Sequence, residues 1–182
     1  MIAILLNDAS FEQDIRELLM AFYPGETFTH KEEEAGEAEL IVRGVRDGNS
    51  FSLDVTPVKK EAVHFALIYP DFSNRFETKN EIKQTLYRLL SVQTGRELPW
   101  GTLTGIRPTK IALTKLYDGW TDEQIETYMR ETYFTSKEKI DLSIDVAERE
   151  RRLLSTIDYE NGYSLYAVSY THLRAHETRS NL

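Results

Sequence analysis

The segment LPWGTLTGIRPTK, which runs from Leu98 to Lys110, concentrates residue types that could bind an anion. It contains two glycines, two prolines, a tryptophan, three threonines and a basic pair. Its glycines permit positive φ angles or a close backbone approach, and Pro108 suits the first turn of a following helix. Unpaired N–H groups and the helix dipole would favour a carboxylate or phosphate there. The candidate anion-binding or substrate-binding residues are Thr104, Gly105, Arg107, Thr109 and Lys110.

An architectural interpretation of the same segment stays open. Gly/Pro-rich loops mostly serve chain geometry. In that case Pro99 and Trp100 would fill a core, a threonine would cap the helix, and Arg107 would pair with an acidic side chain. The segment matches neither GxxxxGK[ST] nor GxGxxG, so nucleotide binding through those two motifs is not supported.

The histidines give no catalytic or metal-binding prediction. His64 stands inside AVHFALIY, where a half-buried strand residue is a better interpretation than a ligand. His172 and His176 have the i,i+4 spacing of a helical metal site, but they belong to a C-terminal segment that we set aside below. The acidic stretch HKEEEAGEAE is interpreted as a solvated loop between strands. We therefore predict no catalytic residue and no metal ligand.

The first 74 residues have the pattern of a small α/β domain. A strand from Met1 to Leu6 precedes a helix that Ser10 and Gln13 would open with a capping box. Asp47-Gly48-Asn49 between β-forming runs predicts a hairpin, and Ala62 to Tyr69 reads as another strand. These elements predict a mostly antiparallel sheet and the fold class α+β.

Residues 75–161 are predicted to be helical, with an irregular Gly/Pro loop at 98–108. An apolar stripe from Ile82 to Leu90 indicates a packed helix that Gly95 would end. Three helices are expected after the loop, and residues 162–167 read as the first strand of a further domain. The expected helices run from Pro108 to Tyr117, from Asp122 to about Tyr133 after a Thr121 cap, and from Ser136 to about Ile157 after a Thr135 cap.

Composition excludes several classes of function. The 182 residues carry a net charge of −8, which opposes binding to nucleic acid because that affinity rests on Lys and Arg. No apolar run approaches the roughly 20 residues that span a bilayer, so we expect a cytoplasmic protein. There is no cysteine, which excludes disulfides and thiolate ligation of an iron–sulfur cluster within these residues.

The stretch ELPWGTLTGIRPTKI, followed by RERRLL and YSLYA, resembles the N-terminal region of HemZ-type coproporphyrinogen dehydrogenases of the radical SAM superfamily. The resemblance extends from Met1 to Ala167. It implies that a Cys-x3-Cys-x2-Cys loop should follow, whose thiolates hold a [4Fe–4S] cluster that cleaves S-adenosylmethionine to a 5'-deoxyadenosyl radical. The implied reaction is oxidative decarboxylation of two propionates of coproporphyrinogen in haem synthesis. The implied partners are the barrel that carries the cluster, a porphyrinogen-like substrate and an electron donor.

The C-terminal residues depart from this pattern. Val168 to Thr178 resemble the translation of a transposase adapter used for sequencing libraries, and Asn181 and Leu182 fit the same reading frame. We therefore expect residues 168–182 to be non-native and the chain to be an N-terminal fragment, with no cofactor and no activity of its own. The alternative is a non-catalytic module that binds a partner protein or a small anionic ligand. An RNA-binding domain is disfavoured by the acidic charge.

Overall fold

The computed structural model describes residues 1–58 and 63–155. The chain divides into one compact unit from Met1 to Glu148 and a second from Arg149 to Leu182. The strand predicted at 162–167, the tail at 168–182 and both of its histidines lie outside the described residues. The domain boundaries at residues 74 and 161 stay predictions. Within the described ranges, no helix is long and apolar enough to cross a membrane.

A five-stranded mixed sheet forms the first part of the fold, and the predicted α+β class is confirmed. The strand order is β2-β1-β3-β4-β5, with β1 parallel to both of its neighbours and the other two pairs antiparallel. Most of the residue pairing is antiparallel, as predicted. The strands are β1 (Ile2–Leu6), β2 (Phe28–Thr29), β3 (Leu40–Asp47), β4 (Ser50–Pro57) and β5 (His64–Ile68).

The hairpin between β3 and β4 forms where the Asp-Gly signal predicts it. Asp47 pairs with Ser50, so the loop consists of Gly48 and Asn49. Gly48 has a φ of 57°, a left-handed conformation that glycine adopts without strain. Residues of β4 alternate strictly, and Phe51, Leu53 and Val55 are buried.

Within residues 1–58 and 63–155, five α-helices accompany the sheet. They are α1 (Glu12–Phe22), α2 (Arg75–Thr94), α3 (Pro108–Tyr117), α4 (Asp122–Tyr133) and α5 (Lys137–Leu154). Pro108 is the first residue of α3, and Gly95 ends α2 in a left-handed conformation with its N–H on the Ser91 carbonyl. Thr121 and Gln124 form a complete capping box at α4. These start and stop signals are therefore confirmed.

Three local expectations are corrected. Asp8, not Ser10, makes the cap near α1: its carboxylate accepts from the Ser10 N–H and opens a 3₁₀ turn over Ala9–Phe11. The acidic stretch is also not a loop, because Glu32–Glu37 is a 3₁₀ helix that buries Ala35. Thr135 was expected to cap α5, but α5 begins at Lys137 and the Ser136 carbonyl accepts from the Ile140 N–H, so Ser136 occupies the N-cap position.

The buried side chains form two main clusters. The first lies between one face of the sheet and helices α1 and α2, with fully buried Phe22, Phe51 and Leu86 among its members. The second is built by α3, α4, α5 and the loop before them, around Ile125, Met129 and Ile140. Each large apolar side chain stabilises the fold by about 2 kcal/mol when it is removed from water.

Candidate functional site

The Gly/Pro loop that connects α2 to α3 is locked onto the C-terminal end of α4. The Thr102 N–H donates to the Tyr133 carbonyl at 2.8 Å, and the Ser136 N–H donates to the Pro99 carbonyl at 2.9 Å. Gly101 has a φ of 57°, and a Cβ there would lie 1.9 Å from the Tyr133 carbonyl oxygen. Only glycine fits this position, because the obstacle is backbone rather than a movable side chain.

The same loop joins the two hydrophobic clusters. Leu98 packs against the first cluster, and its N–H donates to the Tyr87 hydroxyl at 3.0 Å. Leu103 is buried in the second cluster, and Trp100 packs against its edge. Part of this segment therefore has the architectural role that the second interpretation gave it.

Thr104 is turned towards helix α2. The Lys83 ammonium donates to the Thr104 hydroxyl oxygen at 2.8 Å. Lys83 is only 5% exposed, so this hydrogen bond is made in a buried environment. Burial lowers the pKa of Lys83, since desolvation penalises the charged form. The carboxylates of Asp14 and Glu17 oppose this shift and the ammonium of Lys79 adds to it.

Gly105 lies against a carboxylate of helix α1. It has a φ of 70°, and a Cβ there would lie 2.2 Å from a Glu17 carboxylate oxygen. Glu17 is held by the Gln13 amide at 2.9 Å. Next to this contact, Lys79 and Asp14 form an ion pair of 2.5 Å. The first half of the predicted anion site therefore faces a cluster of both signs of charge.

Arg107, Thr109 and Lys110 lie at the beginning of α3. Arg107 is the N-cap residue by its backbone, and its Nε donates to the Thr109 hydroxyl at 3.0 Å. The Lys110 N–H donates to the Arg107 carbonyl. The first turn of α3 contains no acidic residue. The structure thus divides the five candidates, with Thr104 and Gly105 against α1 and α2 and the other three in the first turn of α3.

Sequence reasoning missed the charged cluster behind the loop, which consists of Asp14, Glu17, Lys79 and Lys83. One signal was present, because Lys83 and Thr85 stand among the apolar residues from Ile82 to Leu90, and the structure buries both of them. Polar residues at buried helix positions need partners. The partners themselves lie on α1 and in the loop, and no local pattern connects those segments.

The described histidines have structural partners. His64 is half-buried, as predicted, and its Nε2 lies 2.9 Å from the Gln93 amide oxygen. His30 Nε2 lies 2.5 Å from an Arg16 guanidinium nitrogen. The same ring nitrogen lies 3.4 Å from a Glu12 carboxylate oxygen. Among the residues that the structure describes, no group of three or more potential ligands could hold a metal ion.

Comparisons with known proteins give one informative similarity. No family model matches the chain, and no solved structure does. A curated relative is the oxygen-independent coproporphyrinogen-III oxidase-like protein HemZ of Bacillus subtilis (strain 168), which is 34% identical over 98 residues. The match covers 52% of this chain and 19% of HemZ, so it spans about a fifth of that relative's length. This similarity supports a relationship to HemZ-type proteins.

Proposed function

We propose that this chain is the N-terminal part of a radical SAM oxidoreductase of the coproporphyrinogen-oxidase-like type and that it has no redox activity by itself. The observation that carries the proposal is the 34% identity over 98 residues with HemZ. The resemblance of the stretch from Glu97 to Ile111 points to the same family. The proposed reaction of the longer protein is oxidative decarboxylation of a porphyrinogen-like substrate.

The residues of this chain do not fit the cluster that such a reaction uses. A [4Fe–4S] cluster needs cysteine thiolates, and none of the 182 residues is a cysteine. We propose that a following part of the longer protein supplies those ligands, together with the site for S-adenosylmethionine. We therefore derive no catalytic step for this chain.

In this proposal the chain contributes a contact to the substrate rather than chemistry. A porphyrinogen with propionate groups presents carboxylates, and a cationic helix N-terminus suits them. Arg107 and Lys110 are exposed at the first turn of α3. The Glu17 carboxylate beside Gly105 would repel an anion, so we limit the proposed contact to Arg107, Thr109 and Lys110.

Sequencing the source DNA across the Tyr166 codon, without an adapter-based library, tests the parentage. We expect a Cys-x3-Cys-x2-Cys stretch within about a dozen codons. The longer protein, purified without oxygen, should then contain iron and sulfide and cleave S-adenosylmethionine, whereas the 182-residue chain should do neither. A genomic read that reproduces VSYTHLRAHETRSNL would contradict the proposal and favour the non-catalytic binding module.

Replacing Arg107 in the longer protein tests the proposed substrate contact separately. Arg107→Ala should raise KM by about tenfold and leave kcat nearly unchanged, because a charge-assisted hydrogen bond in the ground state is lost. Arg130→Ala is the matched control, since it removes an exposed arginine from α4 that pairs with Glu126. An unchanged KM for Arg107→Ala would refute the contact without affecting the parentage.

A further inference from the structure

Within the described residues the sheet ends at β5, which has a strand neighbour on one side only. The side chains of His64, Ala66 and Ile68 are half-buried on the helix-covered face. The alternate residues point to the other face, where Phe65 is 61% and Leu67 47% exposed. Val63 and Tyr69, at the two ends of the strand, are also exposed.

The hydrogen-bonding direction of each β5 residue follows from the register of the sheet. The Asn7 side chain bonds both the N–H and the carbonyl of Arg46, so the backbone of Arg46 faces β1 and that of Asp47 faces β4. Counting along the registered pairs, Phe51 and Leu53 of β4 face β5. His64, Ala66 and Ile68 therefore bond to β4, and the N–H and C=O groups of Phe65 and Leu67 point away from the sheet.

The strand itself lacks two features that normally prevent edge pairing, namely charged residues and proline. Natural sheets protect an edge strand with charged residues, prolines or bulges. The seven residues from Val63 to Tyr69 include no charged residue and no proline, in a chain of which 29% is charged. On the open face, Leu67 pairs with Ser52 and Ser52 with the exposed Val45, whereas Phe65 pairs with Asp54.

We propose that β5 pairs antiparallel with β5 of a second copy of this chain, around a twofold axis that passes Ala66. In that register Phe65 lies opposite Leu67 of the second copy, and these two residues exchange the hydrogen bonds that point away from each sheet. An axis perpendicular to the sheet keeps both open faces on the same side, so the four exposed side chains form one apolar cluster. A twofold axis brings the same strand of both copies together, so any charged residue in it would face a like charge. A strand without charged residues avoids this repulsion.

Sedimentation velocity over a range of protein concentrations tests this inference on the full 182-residue chain. We expect a monomer–dimer equilibrium. Leu67→Lys should weaken the dimer at least about tenfold, since it places a charge in the apolar cluster and a second one across the axis. The matched control is Val92→Lys, which replaces an exposed valine on α2 and should leave the equilibrium unchanged. A chain that is monomeric at every concentration, or a dimer insensitive to Leu67→Lys, would overturn the inference.

Amide hydrogen exchange of the unmodified chain identifies the surface without any substitution. The amides of Phe65 and Leu67 should gain protection as the concentration rises, whereas those of Ala66 and Ile68 should be protected throughout by their bonds to β4. Protection of Phe65 and Leu67 at all concentrations would mean that another segment of the same chain covers the edge. Absence of protection in a dimer would mean that a different surface associates. Either result contradicts the proposed pairing.

Discussion

The loop between α2 and α3 and the edge strand β5 differ in how their backbone groups are used. In the loop, Pro99 and Thr102 bond to residues at the end of α4, and Gly101 fits where no other residue would. In β5, the N–H and C=O groups of Phe65 and Leu67 point away from the sheet, beside apolar side chains that are about half exposed.

This difference shows that residue type is a poor guide to which surfaces are free to bind another molecule. Glycine, proline, threonine and arginine in the loop have the composition of a binding site, yet Pro99, Gly101 and Thr102 fix the loop against the end of α4. The apolar run in β5 has the composition of a buried strand, yet two of its five side chains, Phe65 and Leu67, are exposed to solvent. If this difference is real, substitutions in the loop should lower the free energy of unfolding strongly, whereas substitutions on the exposed face of β5 should change it little.

Gly101→Ala should give the largest loss of stability. The new Cβ would lie 1.9 Å from the Tyr133 carbonyl oxygen and 2.6 Å from the Phe134 carbonyl carbon, so the loop must leave the end of α4. We expect the free energy of unfolding to fall by about 3 kcal/mol or more. Urea denaturation followed by circular dichroism measures this change.

Gly119→Ala separates the clash from backbone strain. Gly119 also has a positive φ, of 80°, but a Cβ there meets no atom within 4 Å. Its replacement should cost only about 1 kcal/mol, the strain of a left-handed alanine. Equal losses for the two variants would mean that the loop does not depend on close packing at Gly101.

The elements of the loop region could be predicted from sequence, but its contacts could not. Pro108, Thr121 and Gly95 each mark a helix end through local chemistry that reads directly from residue type. Lys83 and Thr104, by contrast, are 21 positions apart in the chain, and no local pattern predicts that their side chains meet. Their contact depends on how α2 and the loop pack, which is a property of the whole chain.

In the sheet, too, local pairing could be predicted from sequence, whereas contacts between distant segments could not. The Asp47-Gly48 turn fixes the pairing of β3 with β4, because a two-residue loop leaves a single register. The parallel pairing of β1 with β2 and β3 requires connections that cross over the sheet, and these were not predicted. The exposure of Phe65 was also not predicted, since an apolar run does not say whether its strand is at the edge.

Thr104→Val should have an intermediate effect that depends on pH. The variant removes the acceptor of the buried Lys83 ammonium, which should cost about 2 kcal/mol at neutral pH. The pKa of Lys83 is lowered in the folded state, so the unfolded state binds more protons between that lowered pKa and 10.5. Stability attributable to Lys83 therefore rises with pH in this interval. The loss caused by Thr104→Val should shrink there, because a neutral amine needs its acceptor less.

A double-mutant cycle gives the control for this prediction. The Lys83→Met variant has no ammonium that needs the Thr104 hydroxyl as an acceptor. In that background, Thr104→Val should therefore cost much less stability and show little dependence on pH. Urea denaturation at neutral pH and at about pH 10 supplies the four free energies of unfolding at each pH. The same cost in both backgrounds would show that Thr104 stabilises the loop independently of Lys83.

Leu67→Thr should have the smallest effect on the stability of the monomer. It tests whether the exposed face of β5 accepts substitutions that the loop does not. Leu67 is already 47% exposed, and threonine is a good strand former, so we expect a change within about 0.5 kcal/mol in dilute solution. Leu53, which pairs with Ala66 on the neighbouring strand and is fully buried, is the matched position. Leu53→Thr should cost about 3 kcal/mol, because it removes apolar contacts and buries a hydroxyl. If both substitutions were equally costly, the face of β5 that carries Leu67 would be covered in the monomer, and the edge would not be available to a second copy.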